Sequence, residues 1–431
     1  VGAIILFGLV PLLAFPELIG SGQTLYWTDL SWIHYPRHIF AAEEWLAGRV
    51  PLWDPYEDTG IPLLAESQVG VLYPFSALFL SPLPPSLELS LFILLHFSLA
   101  GLFTFSLARS LGLGPPAASL AGLAFGCGGF LMAQVPNLNL MSGAVWLPLL
   151  LLGVRRALLR RTLGSAMLAG LPFTLQILTA QPQIVVYSGL IVTAYVLYRI
   201  IAETRLAPAR LSQAGWSGLL WIIAVASGLL LAAPQLLPTL ELQQLSVRAE
   251  ARDFDFLTKT SLPPLMLLNF LLPGAFGNNV VGFAGGDPFQ EVFGYTGFVP
   301  LLLALGSWPW RRRREVGFFY MLLLGSLLLA LGRFTPLYAY LIQYLPGLAY
   351  FRIPARWLVG VNFALAMLAG FGLERLAQQP PARRSRLGLV GLALGLALIV
   401  IFGWYLTPQL LAWSEAGGHR WLSQLLSHSF R

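Results

Sequence analysis

Hydrophobic stretches of about 17 to 25 residues, each long enough to cross a hydrocarbon core of roughly 30 Å, recur from Val1 almost to the C-terminus. Lipid offers the backbone no hydrogen-bond partner, so such a chain must satisfy its amides inside helices. An all-α integral membrane protein is expected. Only 10% of the 431 residues are charged, against about a quarter in a soluble domain. No hydrophilic stretch between the apolar runs is long enough for a soluble domain, so residues 1–431 read as one polytopic membrane domain.

The expected spans are 1–16, 88–108, 117–134, 138–154, 163–180, 183–201, 215–237, 295–310, 316–331, 356–376 and 387–406, about eleven in all. Gly/Pro turns join several of them, as suits antiparallel neighbours. The chain starts at Val1 in an apolar run without a basic leader or an A-x-A-like cleavage site, which predicts that residues precede it in the full protein and that the first span is retained. The lone cysteine, Cys127, allows no internal disulfide and reads as a packing residue.

Charge sets the direction. With the first long loop outside, sixteen of the 26 basic residues and three of the 19 acids fall on the inner face. That follows the positive-inside rule, with the N-terminus cytoplasmic and the C-terminus outside. The same rule accounts for the net charge of +7 without a nucleic-acid partner. Three long outer segments remain, 17–87, 238–294 and 332–355, and loops of that length are commonly functional. Within the first, 36–48 reads as an interfacial helix with Pro36 in its first turn, Gly48 at its end, and Ile39, Ala42, Trp45 and Leu46 along one face. Residues 71–80 are apolar but too short to span, and read as a second interfacial or re-entrant piece.

The spans hold almost no ionisable group at mid-depth, which disfavours an ion-coupled transporter. His96 is the main exception, read as a histidine hydrogen-bonded between helices or as a relay. The first outer loop is richer, with Asp29, His34, Tyr35 and Arg37 in close succession. Asp29 can deprotonate an acceptor hydroxyl or hold a divalent cation such as magnesium or manganese, and the aromatic rings can stack on a sugar. The other reading makes Asp29 a helix cap and the rings an interfacial belt. Trp53 and Asp54 lie in turn-forming sequence and can line the same surface. Arg352 and Arg356, four apart at the mouth of a span, suit a phosphate at headgroup depth or act as snorkelling anchors. Arg333 precedes them in the same outer segment.

The ordered set Asp29 to Arg37, Gly48-Arg49-Val50-Pro51-Leu52-Trp53-Asp54-Pro55, Gly60-Ile61-Pro62, Leu72-Tyr73-Pro74, Gly294-Tyr295-Thr296-Gly297, Gly332 to Tyr338 and Phe351 to Arg356 resembles the YfhO family of bacterial membrane proteins. That family is similar to the GT-C glycosyltransferases. The resemblance implies an inverting transfer from a polyprenyl-phosphate sugar to a glycopolymer or lipid acceptor of the cell envelope, on the outer face of the bacterial cytoplasmic membrane. Asp29 then stands at the key acid, His34 and Arg37 beside the donor phosphate, and Arg352 and Arg356 on the departing lipid phosphate. A non-catalytic structural or assembly subunit of a larger membrane complex is the alternative.

Overall fold

Proline opens several of the long helices. Pro85, Pro115 and Pro182 each stand at a first helical position, where the absent N–H is one that no helix could bond. The structure is a computed structural model that describes residues 2–20, 24–66, 68–206, 211–245, 253–278, 282–283, 288–311, 313–344 and 348–379. Among the described residues six helical segments are long and apolar enough to cross a membrane: Pro85–Ser110, Pro115–Ala133, Leu138–Arg160, Pro182–Thr204, Ala214–Leu231 and Pro354–Gln378. Gly2–Ala14 and Leu163–Leu178 are shorter apolar helices. The chain is a helical, multi-pass membrane protein. Among the described residues the one sheet is a two-residue antiparallel pair, Gly277–Asn278 with Gly282–Phe283.

Two expected spans are interrupted. Residues 115–133 break after Gly126, and 138–160 break at Val145 and Trp146, with Pro148 opening the second part. The stretch expected to span at 295–310 holds the helix Phe298–Gly306, whose nine residues rise only about 14 Å. The one expected at 316–331 is the helix Arg314–Ala330. The span expected at 387–406 lies outside the described residues.

The chain divides into two units, one of residues 1–112 and 134–252, the other of 113–133 and 253–431. In the first, helices Leu163–Leu178 and Leu211–Leu231 approach through Gly170 and Gly228. A Cβ on Gly170 would stand 2.6 Å from the Ala224 carbonyl oxygen, and one on Gly228 3.1 Å from that of Gly170. The Thr174 hydroxyl donates to the Gly228 carbonyl at 3.2 Å. Small residues and hydroxyl bonds of this kind hold helices together where lipid supplies no hydrophobic drive. Gln176 adds bonds to the Gly143 carbonyl (2.9 Å) and the Ser188 hydroxyl (2.8 Å).

The first outer segment carries the helix Tyr35–Leu46, which begins at Pro36 and ends before Gly48 at φ +74°, close to the expected bounds. Arg37, His38, Ala41 and Ala42 turn inward, while Leu46 is 70% exposed. An ion-pair network holds Arg37 on the inward face, and a ring stack holds His38. Residues 71–80 form a short piece ending in the 3-10 helix Pro74–Leu80.

In the second unit the helix Leu358–Gln378 is the core, buried without a break from Leu358 to Gly372. Helices Pro115–Gly126, Phe298–Gly306 and Arg314–Ala330 pack on it. Gly370 and Gly372 permit this: a Cβ on Gly370 would lie 3.0 Å from the Ala117 carbonyl oxygen, and one on Gly372 would collide with the Leu303 carbonyl. Two adjacent charges then tie helix ends. The Glu374 carboxylate accepts from the Gly114 amide at 2.6 Å, just before one helix starts, and Arg375 donates to the Gly306 carbonyl at 2.9 Å, where another stops. Each sign matches the end of the helix dipole it meets.

Candidate functional site

Asp29 follows a strained residue. Thr28 has φ +35°, a conformation in which a β-branched side chain crowds its own backbone. Leu30–His34 then form a π-helical turn, a distortion frequent at functional sites. Asp29 occupies the N-cap position of that turn yet makes no side-chain capping bond. Its carboxylate is exposed, and so are Tyr26, Trp27, Trp32, Trp53 and Tyr56 of the same outer segment. Tyr35 is half-buried.

One turn further on, Arg37 is buried and holds two carboxylates. Its Nε and Nη2 donate to Glu57 at 2.6 and 2.5 Å, and its Nη1 donates to Glu66 at 2.6 Å. Burial opposes the charge on Arg37, but the two glutamates outweigh it and raise the pKa, while the bond from Arg37 holds that of Glu57 below the usual carboxylate range. The bidentate fork is therefore engaged within the protein. His34 is 2% exposed, and its Nδ1 has no hydrogen-bond partner. Burial, helped by the charge of Arg37, pushes its pKa down to about 3, so it is a neutral imidazole near pH 7. His38 is likewise lowered to about 3 by burial and by His34, and its ring stacks on Phe79 at 4.4 Å.

Asp54 and Trp53 build the turn that delivers Glu57. Asp54 and Ile61 exchange backbone bonds of 2.8 Å, and the Asp54 carboxylate accepts from the Tyr56 amide at 2.9 Å. Gly60, at φ +101°, closes the turn beneath the Trp53 ring, and a Cβ there would strike the indole. Asp54 is buried and Trp53 exposed. The turn chemistry expected of these residues is present.

The same unit holds a polar chain of His96, Tyr73 and Trp146. His96 Nδ1 lies 2.6 Å from the Phe92 carbonyl, and its Nε2 lies 2.8 Å from the Tyr73 hydroxyl. A carbonyl can only accept, so Nδ1 carries the proton and Nε2 accepts from Tyr73. The Trp146 indole donates to the Tyr73 oxygen at 3.0 Å. Burial raises the pKa of Tyr73 further from neutrality. His96 is therefore a hydrogen-bonded interior histidine, the first of its two expected readings. An apolar span with one histidine was the available signal, and Tyr73 of the Leu72-Tyr73-Pro74 motif is its partner.

Arg333, Arg352 and Arg356 lie in the second unit. Arg356 donates from Nε and Nη2 to the buried Glu291 at 3.0 and 2.7 Å, a bidentate pair. Arg333 straps the 255–261 loop, donating to the Thr258 carbonyl at 3.1 Å, the Asp255 carbonyl at 3.1 Å and the Thr258 hydroxyl at 3.2 Å. Arg352 is exposed, its guanidinium 5.7 Å from the centre of the Phe256 ring. Ile353 beside it has φ +70°, a second strained β-branched residue next to a candidate side chain. Sequence spacing gave no sign of Glu291, which lies 65 residues from its partner.

Among the described residues no group of three His, Cys, Asp or Glu side chains converges to hold a metal ion. A single carboxylate such as Asp29 would hold a magnesium ion only together with water or substrate phosphate oxygens. No protein-family model matches the sequence, and no curated protein matches it.

Proposed function

We propose that the chain is a GT-C-like glycosyltransferase related to the YfhO family, moving a sugar from a polyprenyl phosphate to an envelope glycopolymer or lipid outside the bacterial cytoplasmic membrane. The topology proposed with it has about eleven spans, the N-terminus inside, and segments 17–87, 238–294 and 332–355 outside. The observation that carries the reading is Asp29, an exposed carboxylate without a capping bond, between a strained Thr28 and a π-helical turn, in a segment of exposed aromatic rings. Backbone strain is retained where the rest of the fold over-determines it, and such positions cluster at working sites.

In the proposed step Asp29 accepts the proton of an acceptor hydroxyl. The freed oxygen forms the new bond to the anomeric carbon, while the bond from that carbon to the phosphate oxygen breaks. The electron pair leaves with the lipid phosphate, and the anomeric configuration inverts. Tyr35 and Trp53 are the aromatic contacts for the sugar. Arg37, His34 and Asp54 support the loop rather than touch phosphate, because the first is engaged by two glutamates, the second is neutral and the third is buried in its turn. Arg352, an exposed arginine of the second unit, is the residue proposed for binding a lipid phosphate.

The alternative, a non-catalytic subunit of a membrane complex, draws support from one observation: the forks of Arg37 and Arg356 both face protein carboxylates. Asp29→Asn separates the two. Purified protein is given a labelled polyprenyl-phosphate sugar and an envelope extract. Loss of base catalysis lowers transfer by about a hundred- to ten-thousand-fold with melting unchanged. Transfer by the Asn variant at the wild-type level removes Asp29 from the mechanism. No transfer by the wild type across a broad donor panel, or purification only with companion subunits, favours the alternative.

A further inference from the structure

The first unit contains a cavity of about 240 Å³ between the helix Tyr35–Leu46 and residues 69–80. Its walls are mostly apolar, with Val71 and Leu80 among them, and Trp45 and Ala77 stand at its mouth. No charged side chain lines it. The polar feature is His38, whose ring is fixed by its stack on Phe79 and which has no hydrogen-bond partner among the described residues. We propose that this cavity binds an uncharged, largely apolar molecule of one ring or one short branched chain bearing a single hydroxyl group, which His38 recognises.

The size argument is direct. An apolar cavity of about 150 Å³ takes up benzene, whereas drug-sized ligands need about 300 to 1,000 Å³. The space suits one ring or a chain of similar bulk. The chemistry follows from the walls and the imidazole. A charged ligand would lose its hydration and gain no counter-charge. A neutral imidazole offers one donor and one acceptor, and a hydroxyl group can serve either. The Tyr73 hydroxyl cannot take this role, because it donates to His96 and accepts from Trp146. Ser76 likewise turns its proton to the Gly70 carbonyl at 3.1 Å. The site does not depend on the transfer chemistry proposed above.

The test uses 19F NMR of the purified protein in detergent with three probes, 4-fluorophenol, fluorobenzene and 4-fluorobenzoate, and empty micelles as the reference for partitioning. Saturable binding of 4-fluorophenol at least tenfold tighter than fluorobenzene, with none of the benzoate, is the expected result. His38→Phe keeps an aromatic ring against Phe79 and is expected to bring the phenol down to the affinity of fluorobenzene. Ala77→Leu fills the exposed mouth without disturbing the core, and is expected to weaken both at least tenfold. The proposal is overturned if the wild type binds phenol and fluorobenzene equally, if neither saturates beyond empty micelles, if His38→Phe keeps the preference, or if folded Ala77→Leu protein binds as the wild type does.

Discussion

Replacing Arg37 by glutamine tests whether the first outer segment is built around an ion-pair network. The substitution removes three charge-assisted bonds, two to Glu57 and one to Glu66, and leaves their carboxylates facing a group that cannot neutralise them. Breaking a buried pair by removing one partner costs about 3 to 5 kcal/mol. Arg37 is buried, but Glu57 and Glu66 remain 34% and 24% exposed on their side chains. Solvent screens part of their charge, so the lower end, about 3 kcal/mol, is expected. The measurement is the melting temperature in nanodiscs for Arg37→Gln, Glu57→Gln/Glu66→Gln and the triple variant. Because orphaned charge causes most of the loss, the triple variant should melt above Arg37→Gln alone, and Arg37→Lys should fall between Arg37→Gln and the wild type since it keeps charge and loses the fork. A triple variant no more stable than Arg37→Gln, or an Arg37→Gln protein that melts like the wild type, would refute the reasoning.

Acidification should destabilise the protein through His34 and His38. Both are held near pKa 3 when folded, against 6.5 when unfolded, so their contribution is whole above pH 6.5 and is lost as pH falls toward 3, at up to about 1.4 kcal/mol per pH unit for each ring. Melting between about pH 7.5 and 5 stays above the range where Glu57 protonates; a temperature that rises on acidification would contradict the assignment. Tyr73→Phe should cost about 1 to 3 kcal/mol for each buried partner left unpaired, His96 and Trp146. Adding Trp146→Phe should recover part of that loss, and an additive double variant would argue against the chain. Gly372→Ala pushes a methyl group against the Leu303 carbonyl and should cost at least about 1 to 3 kcal/mol, whereas Gly325→Ala, with open space around it, should be neutral in the same melting assay.

Local signals in the sequence carried well, and long-range pairings did not. Pro36 and Gly48 marked the ends of the helix Tyr35–Leu46, and Asp54, Asp58 and Gly60 marked a turn, because each acts through backbone geometry within a few residues. The inward face of that helix was hidden, since it depends on Glu57 and Glu66, 20 and 29 residues away, and on Phe79. A hydropathy window counts Arg37 and His38 as outward-facing residues. The pairing of Arg356 with Glu291, 65 residues away, was hidden in the same way. Hydropathy also joined what the backbone interrupts: Gly126, Cys127 and Gly128 lie in a continuous apolar run, yet the helix stops there, and a Cβ on Gly128 would stand 2.6 Å from the Ala124 carbonyl oxygen.

Several carboxylates among the described residues have structural partners, and the contrast with Asp29 bears on what the outer segment does. Glu57 and Glu66 hold Arg37, Glu291 holds Arg356, and Glu374 meets the Gly114 amide. Asp54 closes its own turn. Each satisfies a donor that the fold would otherwise bury unpaired, and each has a structural reason to be acidic. Asp29 shares none of these reasons. It is exposed, its side chain caps nothing, and the residue before it is held at a φ that threonine resists. A helix start needing only a turn would be more stable with glycine at 28 and a capping side chain at 29. The arrangement holds an exposed carboxylate at a conformational cost, in a segment with exposed aromatic rings, and that gives the proposed proton-accepting role a physical basis.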